Sequence, residues 1–310
     1  MFNLLKDTFR EWREDGANRL AAALAYYTTF SLAPLLVLII AIAGLAGGRE
    51  AAQTQTMAQV EDLLGVEGRE FVEGMIDSAS RPTTGLTATI IGAVTLFFGA
   101  LGVFGELQNS LNTIWEVKPK PAKGLVDAVQ RFILRRLLSF TMVLGIGFLL
   151  LASLVVSAVI SAFAEYIGTH WPMADFWLEL INFLISFLVV TVLFAMIFKF
   201  LPEIKIAWKD VWLGAAVTSG LFSLGKFLIG LYLGRSEVGN TFGAAGSLAI
   251  LLIWIYYSAQ ILFFGAEFTQ VYANRYGSRI VPDPDMVKIT EMERAEKGIP
   301  HEKKLKKAGR

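Results

Sequence analysis

Two carboxylates, Glu106 and Glu267, each close a long apolar run, and each opens onto a polar stretch: Glu106-Leu107-Gln108-Asn109 and Glu267-Phe268-Thr269-Gln270. No charge separates Arg81 from Glu106, or Glu237 from Glu267. Acidic groups so placed are costly, are usually paired, and often mark function. Arg19 leads into a third apolar run and Lys199 closes a fourth. Two acids and two bases at one depth predict an ionic network in which Arg19 pairs with Glu106 or Glu267. The plainer alternative is a set of interfacial charges that hold helices in register. Lys226 interrupts a fifth run with glycines at 220, 225 and 230 around it, roughly 24 Å along a helix. Either its stem snorkels to the interface, or it faces a cavity where a cation would meet an anionic substrate.

Polar residues on two of the runs add to this set. Gly105, Gln108, Asn109 and Asn112 share one helical face, with Glu106 about a quarter-turn away. Tyr26, Tyr27, Thr28, Thr29 and Ser31 cluster just ahead of Pro34. Pro34 removes a backbone bond and frees the carbonyl of Phe30, which predicts a kink. That helix reads either as a tightly packed central element or as a cavity wall with its hydroxyls turned inward. The candidate functional residues are therefore Arg19, Tyr26, Tyr27, Pro34, Glu106, Gln108, Asn109, Asn112, Lys226 and Glu267.

Other chemistry finds little to work with. The chain has no cysteine, and its only histidines are His170 and His301, which fall on opposite sides of the topology argued below. No catalytic, cofactor or metal residue is assigned, and the expectation is a protein that is not an enzyme and carries no cofactor. A net charge of +1 argues against nucleic acid as a partner. The stretch Gly239-Asn240-Thr241-Phe242-Gly243-Ala244-Ala245-Gly246-Ser247 lacks the lysine and spacing of a phosphate loop and reads as a tight turn.

The elements that must hold these residues are membrane helices. With 310 residues, 55% of them hydrophobic, and a mean hydropathy of +0.54, the chain carries more apolar surface than one soluble core hides. Read against the roughly 20 residues needed to cross a bilayer, six runs qualify: 20–48, 82–105, 137–164, 180–198, 211–234 and 238–266. The fold expected is all-α: a polytopic membrane protein of six transmembrane helices, with an external amphipathic helical insertion between the first two. The N-terminal segment, the second-to-third and fourth-to-fifth connections and the tail hold 23 of the 28 Lys and Arg residues, against four in the other connections. By the positive-inside rule both termini are cytoplasmic. Residues 1–19 then form a cytoplasmic amphipathic segment rather than a cleaved signal, 20–275 the membrane domain, and 276–310 a charged, disordered tail. In the insertion, residues 49–81, the stripes Met57, Val60, Leu63, Leu64 and Phe71, Val72, Met75, Ile76 predict two helices broken at Gly65 and Gly68, either capping the bundle or acting as a lid.

The blocks Asn18-Arg19-Leu20-Ala21-Ala22-Ala23-Leu24-Ala25-Tyr26-Tyr27, Ser31-Leu32-Ala33-Pro34-Leu35, Gly105-Glu106 with Ile114-Trp115, Phe200-Leu201-Pro202, and Gly243-Ala244-Ala245-Gly246-Ser247 through Glu267-Phe268 resemble the YihY/BrkB family. The resemblance implies a bacterial inner-membrane protein of six helices whose members have been called virulence factors, some with genetic links to lipid or lipopolysaccharide export. It carries over no catalytic residue, and the family's old ribonuclease label finds no support in these residues. Three readings result. One is a protein that transports or flips a lipid-linked or anionic amphiphile, with membrane lipids as partners. Another is a non-transporting scaffold for envelope machinery, and the weakest is a membrane-embedded enzyme. A hydrated cavity reaching Lys226 would favour transport; a sealed bundle with an exposed apolar groove would favour the scaffold.

Overall fold

The computed structural model describes residues 2–80, 102–121, 174–233, 246–278 and 280–289, with scattered positions between 99 and 148. Helix α1 (Phe2–Glu14) buries Leu4 and Thr8 on one side and leaves Leu5 and Phe9 exposed on the other. It stops at Gly16, whose φ of 67° lies in the left-handed region that glycine adopts without strain. Helix α2 (Ala17–Gly47) follows and carries Pro34 in its interior. Helix α3 (Arg49–Ser80) breaks at Gly65, at φ 78°, so the expected interruption lies where the two apolar stripes change phase. Helix α4 covers 102–114 and strand β1 Val117–Pro119. Then come α5 (Ala174–Phe200), β2 (Ile204–Lys205), α6 (Trp208–Leu233), α7 (Gly246–Arg275), β3 (Val281–Pro282) and β4 (Met286–Lys288).

Four of these helices are long and apolar enough to cross a membrane: Ala17–Leu45, Phe183–Phe200, Trp208–Ile229 and Gly246–Arg275. They coincide with the first, fourth, fifth and sixth predicted runs. Nearly all of the runs 137–164 and 82–105 lies outside the described residues, as does most of the 239–247 turn. The membrane helices leave large apolar side chains uncovered, among them Phe183, Leu184, Leu188 and Phe227. Such faces suit hydrocarbon, where burying apolar area against a neighbour brings no hydrophobic gain.

Close approach between spans rests on small residues. Gly214 and Thr218 on α6 meet Gly265 and Thr269 on α7 reciprocally. A Cβ on Gly214 would run into the Thr269 side chain, and one on Gly265 into that of Thr218. Each threonine hydroxyl donates back along its own helix at 2.7 Å, Thr218 to Gly214 O and Thr269 to Gly265 O, so neither polar group is stranded at the crossing. Beside Pro34, Gly99 leaves room for the ring, and Gly102 does the same for the Ser31 hydroxyl.

Two apolar clusters hold the fold. One gathers Leu111, Ile114, Trp115, Phe198, Val211 and Phe263 at the end of the bundle where α4, α5, α6 and α7 meet. The other packs Ala52, Met57, Val72 and Ile76 of α3 against Leu36 and Ile40 of α2, Ile229 of α6 and Trp254 of α7. Met57, Val60, Phe71, Val72 and Ile76 of the predicted stripes thus pack on the bundle, while the side chains of Leu63 and Leu64 lie outside the described residues. A correction falls on the segment after Arg275. Its prolines and charges read as disorder, yet residues 280–289 are ordered: β4 pairs antiparallel with β1, and β3 with β2. Strands of two or three residues leave no periodicity in a sequence, and here tertiary partners supply the order.

Candidate functional site

The polar residues converge at one end of the bundle, where helices stop and must find partners for their last carbonyls. α5 cannot run past Pro202, which lacks an N–H. Gln108 Nε2 donates to the carbonyl of Leu201 at 3.0 Å. One turn on, Asn112 Nδ2 donates to Glu203 Oε2 at 3.0 Å, and its Oδ1 accepts from Glu203 N at 3.0 Å. From α7, Gln270 Nε2 donates to Ile114 O at 2.7 Å, closing the end of α4. Lys199 donates to Ile206 O at 2.6 Å and lies 5.6 Å from the centre of the Trp208 ring. Asp210, 2% exposed, accepts from both the backbone N–H and the hydroxyl of Ser278, at 2.9 and 2.8 Å. β1–β4 and β2–β3 then strap the α4, α5 and α7 ends together, and Arg131 adds an ion pair to Asp285 at 3.5 Å.

The predicted polar face of α4 therefore divides. Gln108 and Asn112 point in and are buried, Asn109 is exposed, and Glu106 is half-buried. Glu267 is wholly buried. The expected network around Arg19 does not form: Arg19 lies exposed on the outer side of α2, and no ion pair among the described residues joins it to Glu106 or Glu267. Helical phase is the reason, since the residues of α2 that pack inward are Ala17, Ala21, Leu24 and Ala25. The same phase turns Tyr26 and Tyr27 outward, 60% and 46% exposed, with Tyr26 against Phe30 at a centroid distance of 4.9 Å. The inward hydroxyls are those of Thr29 and Ser31, and Thr29 donates to Ala25 O at 2.8 Å. Pro34 is half-buried inside a continuous α2. Lys226 is half-buried on α6.

Two cavities open nearby, and Lys226 lines neither. A polar cleft of about 470 Å³ lies between α1 and the end of α7, with Asp7, Glu11, Glu116, Gln270 and Arg275 in its wall. Asp7 and Arg275 pair across it at 3.0 Å. Partial burial opposes the Arg10 charge, but its hydrogen bond to Glu11 and the charges of Glu11, Asp7 and Glu14 outweigh that and hold the guanidinium above its ordinary value. An apolar groove of about 290 Å³ lies between α1, α6 and α7, lined by Leu221, Leu224, Leu228, Ile261 and Phe264 together with Phe9 and Trp12 of α1. Gln260 reaches it too, while its Nε2 donates to Asn18 Oδ1 at 2.8 Å.

Glu203, Asp210, Gln260, Ser278 and Trp12 were not singled out from the sequence, whereas Gln270 closes the polar stretch noted after Glu267. Glu203 had a visible signal, an acid directly after the Leu201-Pro202 helix stop; the others sit among similar residues with nothing local to mark them.

The chain matches the family model described as Virulence factor BrkB over residues 8–290. It is 28% identical over 275 residues to a UPF0761 membrane protein of Alcanivorax borkumensis, covering 86% of this chain and 60% of that protein. A second, from Psychrobacter sp., is 24% identical, with 94% and 52% covered. A third, from Halorhodospira halophila, is 26% identical, with 83% and 54% covered. The chain thus spans little more than half the length of the curated relatives it matches. No solved structure matches it. With a family model covering nearly the whole chain and membrane-length helices running through the match, this multi-pass membrane protein belongs to the BrkB/YihY family.

Proposed function

We propose that the chain takes a lipid-linked or anionic amphiphile from the bilayer and moves it between leaflets, without acting as an enzyme. The apolar groove between α1, α6 and α7 carries this reading. It runs along two membrane-length helices, and its wall residues Leu224 and Leu228 are exposed, so an acyl chain arriving from lipid would need no path through water. Pockets for such ligands are apolar with a few placed polar groups, and Gln260 and Trp12 are those groups here.

The finer topology belongs to the same proposal: six spans with both termini cytoplasmic. It is supported by the meeting at one end of α1, the end of α4, the α5–α6 connection and the strands after α7, each belonging to one of the four segments that together hold 23 of the 28 Lys and Arg residues. A chain that returns to one end crosses an even number of times in between.

The test is reconstitution into vesicles holding a trace of head-group-labelled phosphatidylglycerol, with a membrane-impermeant quencher added outside. The reading requires the quencher to reach label from both leaflets. Quenching that stops at the outer leaflet, as in protein-free vesicles, would refute it. A second reading, a scaffold for envelope machinery, draws on the interlocked end of the bundle and on the absence, in the two cavities described, of any lining by Lys226.

A further inference from the structure

The charges of α1 are sorted by side. At about 100° per residue, Leu5, Lys6, Phe9 and Arg13 share one arc of the helix, and all four are exposed. Its acids Asp7, Glu11 and Glu14 lie half-buried on the other side. There they are engaged. Arg10 pairs with Asp7, Glu11 and Glu14 at 3.5, 3.2 and 3.7 Å, and Arg275 of α7 pairs with Asp7 at 3.0 Å. Among the described residues no acid pairs with Lys6 or Arg13. The outward arc thus holds two cations and two large apolar side chains, with no acid among them.

The course of α1 carries that arc alongside a membrane-length helix. Asp7 meets Arg275 at the end of α7, and Asn18, just past the turn at Gly16, accepts from Gln260 at 2.8 Å. Arg275 and Gln260 stand about four turns apart on α7, roughly 22 Å. α1 therefore leans along α7, which is long and apolar enough to cross a membrane, instead of projecting from its end. Phe9 also lines the apolar groove with Leu224 and Leu228 of α6, which are 56% and 49% exposed. The outward arc is continuous with a surface suited to hydrocarbon. A helix with apolar and cationic side chains together on its uncovered side lies in the membrane interface, its apolar groups at the acyl boundary and its cations at the phosphates.

We infer that the outward arc of α1 docks on anionic phospholipid head groups. Leu5 and Phe9 enter the acyl boundary. Lys6 and Arg13, about two turns apart, each meet a lipid phosphate. With the acids turned inward, the arc has no carboxylate for a choline ammonium, so a zwitterionic lipid gains less there than an anionic one. Two cations so placed raise the local ratio of anionic to zwitterionic lipid on the order of tenfold. The inference stands apart from the transport reading, since it requires no lipid to cross.

The chain has no cysteine, so Phe9→Cys carries a single fluorophore, at a position that neighbours both Lys6 and Arg13 on the helix surface. The labelled full chain is placed in vesicles of equal phosphatidylglycerol and phosphatidylcholine. Bromine, a contact quencher, is carried on the acyl chains of one lipid or of the other. Brominated phosphatidylglycerol quenches the more strongly. Leu5→Cys, which lines neither described cavity, gives the same result and separates it from any effect of losing Phe9. Leu184→Cys, on an exposed face of α5, is quenched equally by both lipids. Lys6→Gln together with Arg13→Gln abolishes the preference on α1, and high salt weakens it in the unsubstituted arc. Equal quenching at Phe9 and Leu5 overturns the inference and leaves an apolar contact without charge selection. Absence of quenching by either lipid also overturns it and assigns the arc to water or to a protein partner. So does a preference that survives the double substitution or is indifferent to salt.

Discussion

At the interlocked end the Asn112 amide both donates to and accepts from one residue, Glu203. Asn112→Leu preserves bulk but strands the Glu203 N–H and takes one donor from its carboxylate, at a cost of about 1–3 kcal/mol. Asn109→Leu, three residues back and exposed, is expected to change stability by less than about 0.5 kcal/mol. Thermal unfolding in detergent separates them, and equal shifts would show that the Asn112–Glu203 pair contributes nothing. The contrast also marks what was readable. Helical spacing put residues 108, 109 and 112 on one face, and two of the three are buried. That spacing does not name a partner 91 residues away, nor fix the rotation that sends Arg19, Tyr26 and Tyr27 outward. Rotation about a helix axis is set by packing, and around Arg19 and the tyrosines the inward positions of α2 are mostly alanines, at 17, 21 and 25, which a hydropathy scan weighs no more than their neighbours.

Among elements, the α6–α7 crossing is the most constrained. Gly265→Ala places a methyl within 2.8 Å of Thr218 Cβ and Cγ2, and overpacking of this kind costs about 1–3 kcal/mol. Thr218→Ala removes two of the three colliding atoms and is expected to restore part of the loss in the double variant. Unfolding midpoints of the two single variants and the double test this, and strict additivity would mean that the residues do not touch. The membrane helices were legible because length and apolarity act through a solvent that admits few alternatives. The strands were not. Val281-Pro282 and Met286-Val287-Lys288 lie among residues that ordinarily break structure, and they are ordered by β2 and β1 rather than by any preference of their own. Ending the chain after Ser278 is expected to speed amide exchange at Lys118, Lys205 and Lys120, the last of which donates to Asp285 O, while α6 and α7 stay protected. Unchanged exchange there would mean that the pairing adds no protection.

For the whole molecule, the absence of cysteine permits a clean reading of orientation. On the proposed topology, Gln55→Cys reacts with an impermeant thiol reagent from outside the cell and Ala308→Cys only after the inner face is opened. The reverse pattern would invert the protein in the membrane. The strapped end also has a consequence in time. β1 and β2 leave the ribosome long before β3 and β4, which complete them. At ordinary elongation rates the interval is on the order of ten seconds. Throughout it the ends of α4 and α5 stand unclosed, and the peptide groups of 117–119 and 204–205 can pair with any passing chain. A nascent protein of this kind therefore has a window of vulnerability that its own last-made residues bring to an end, and a ribosome stalled before residue 281 would hold it open.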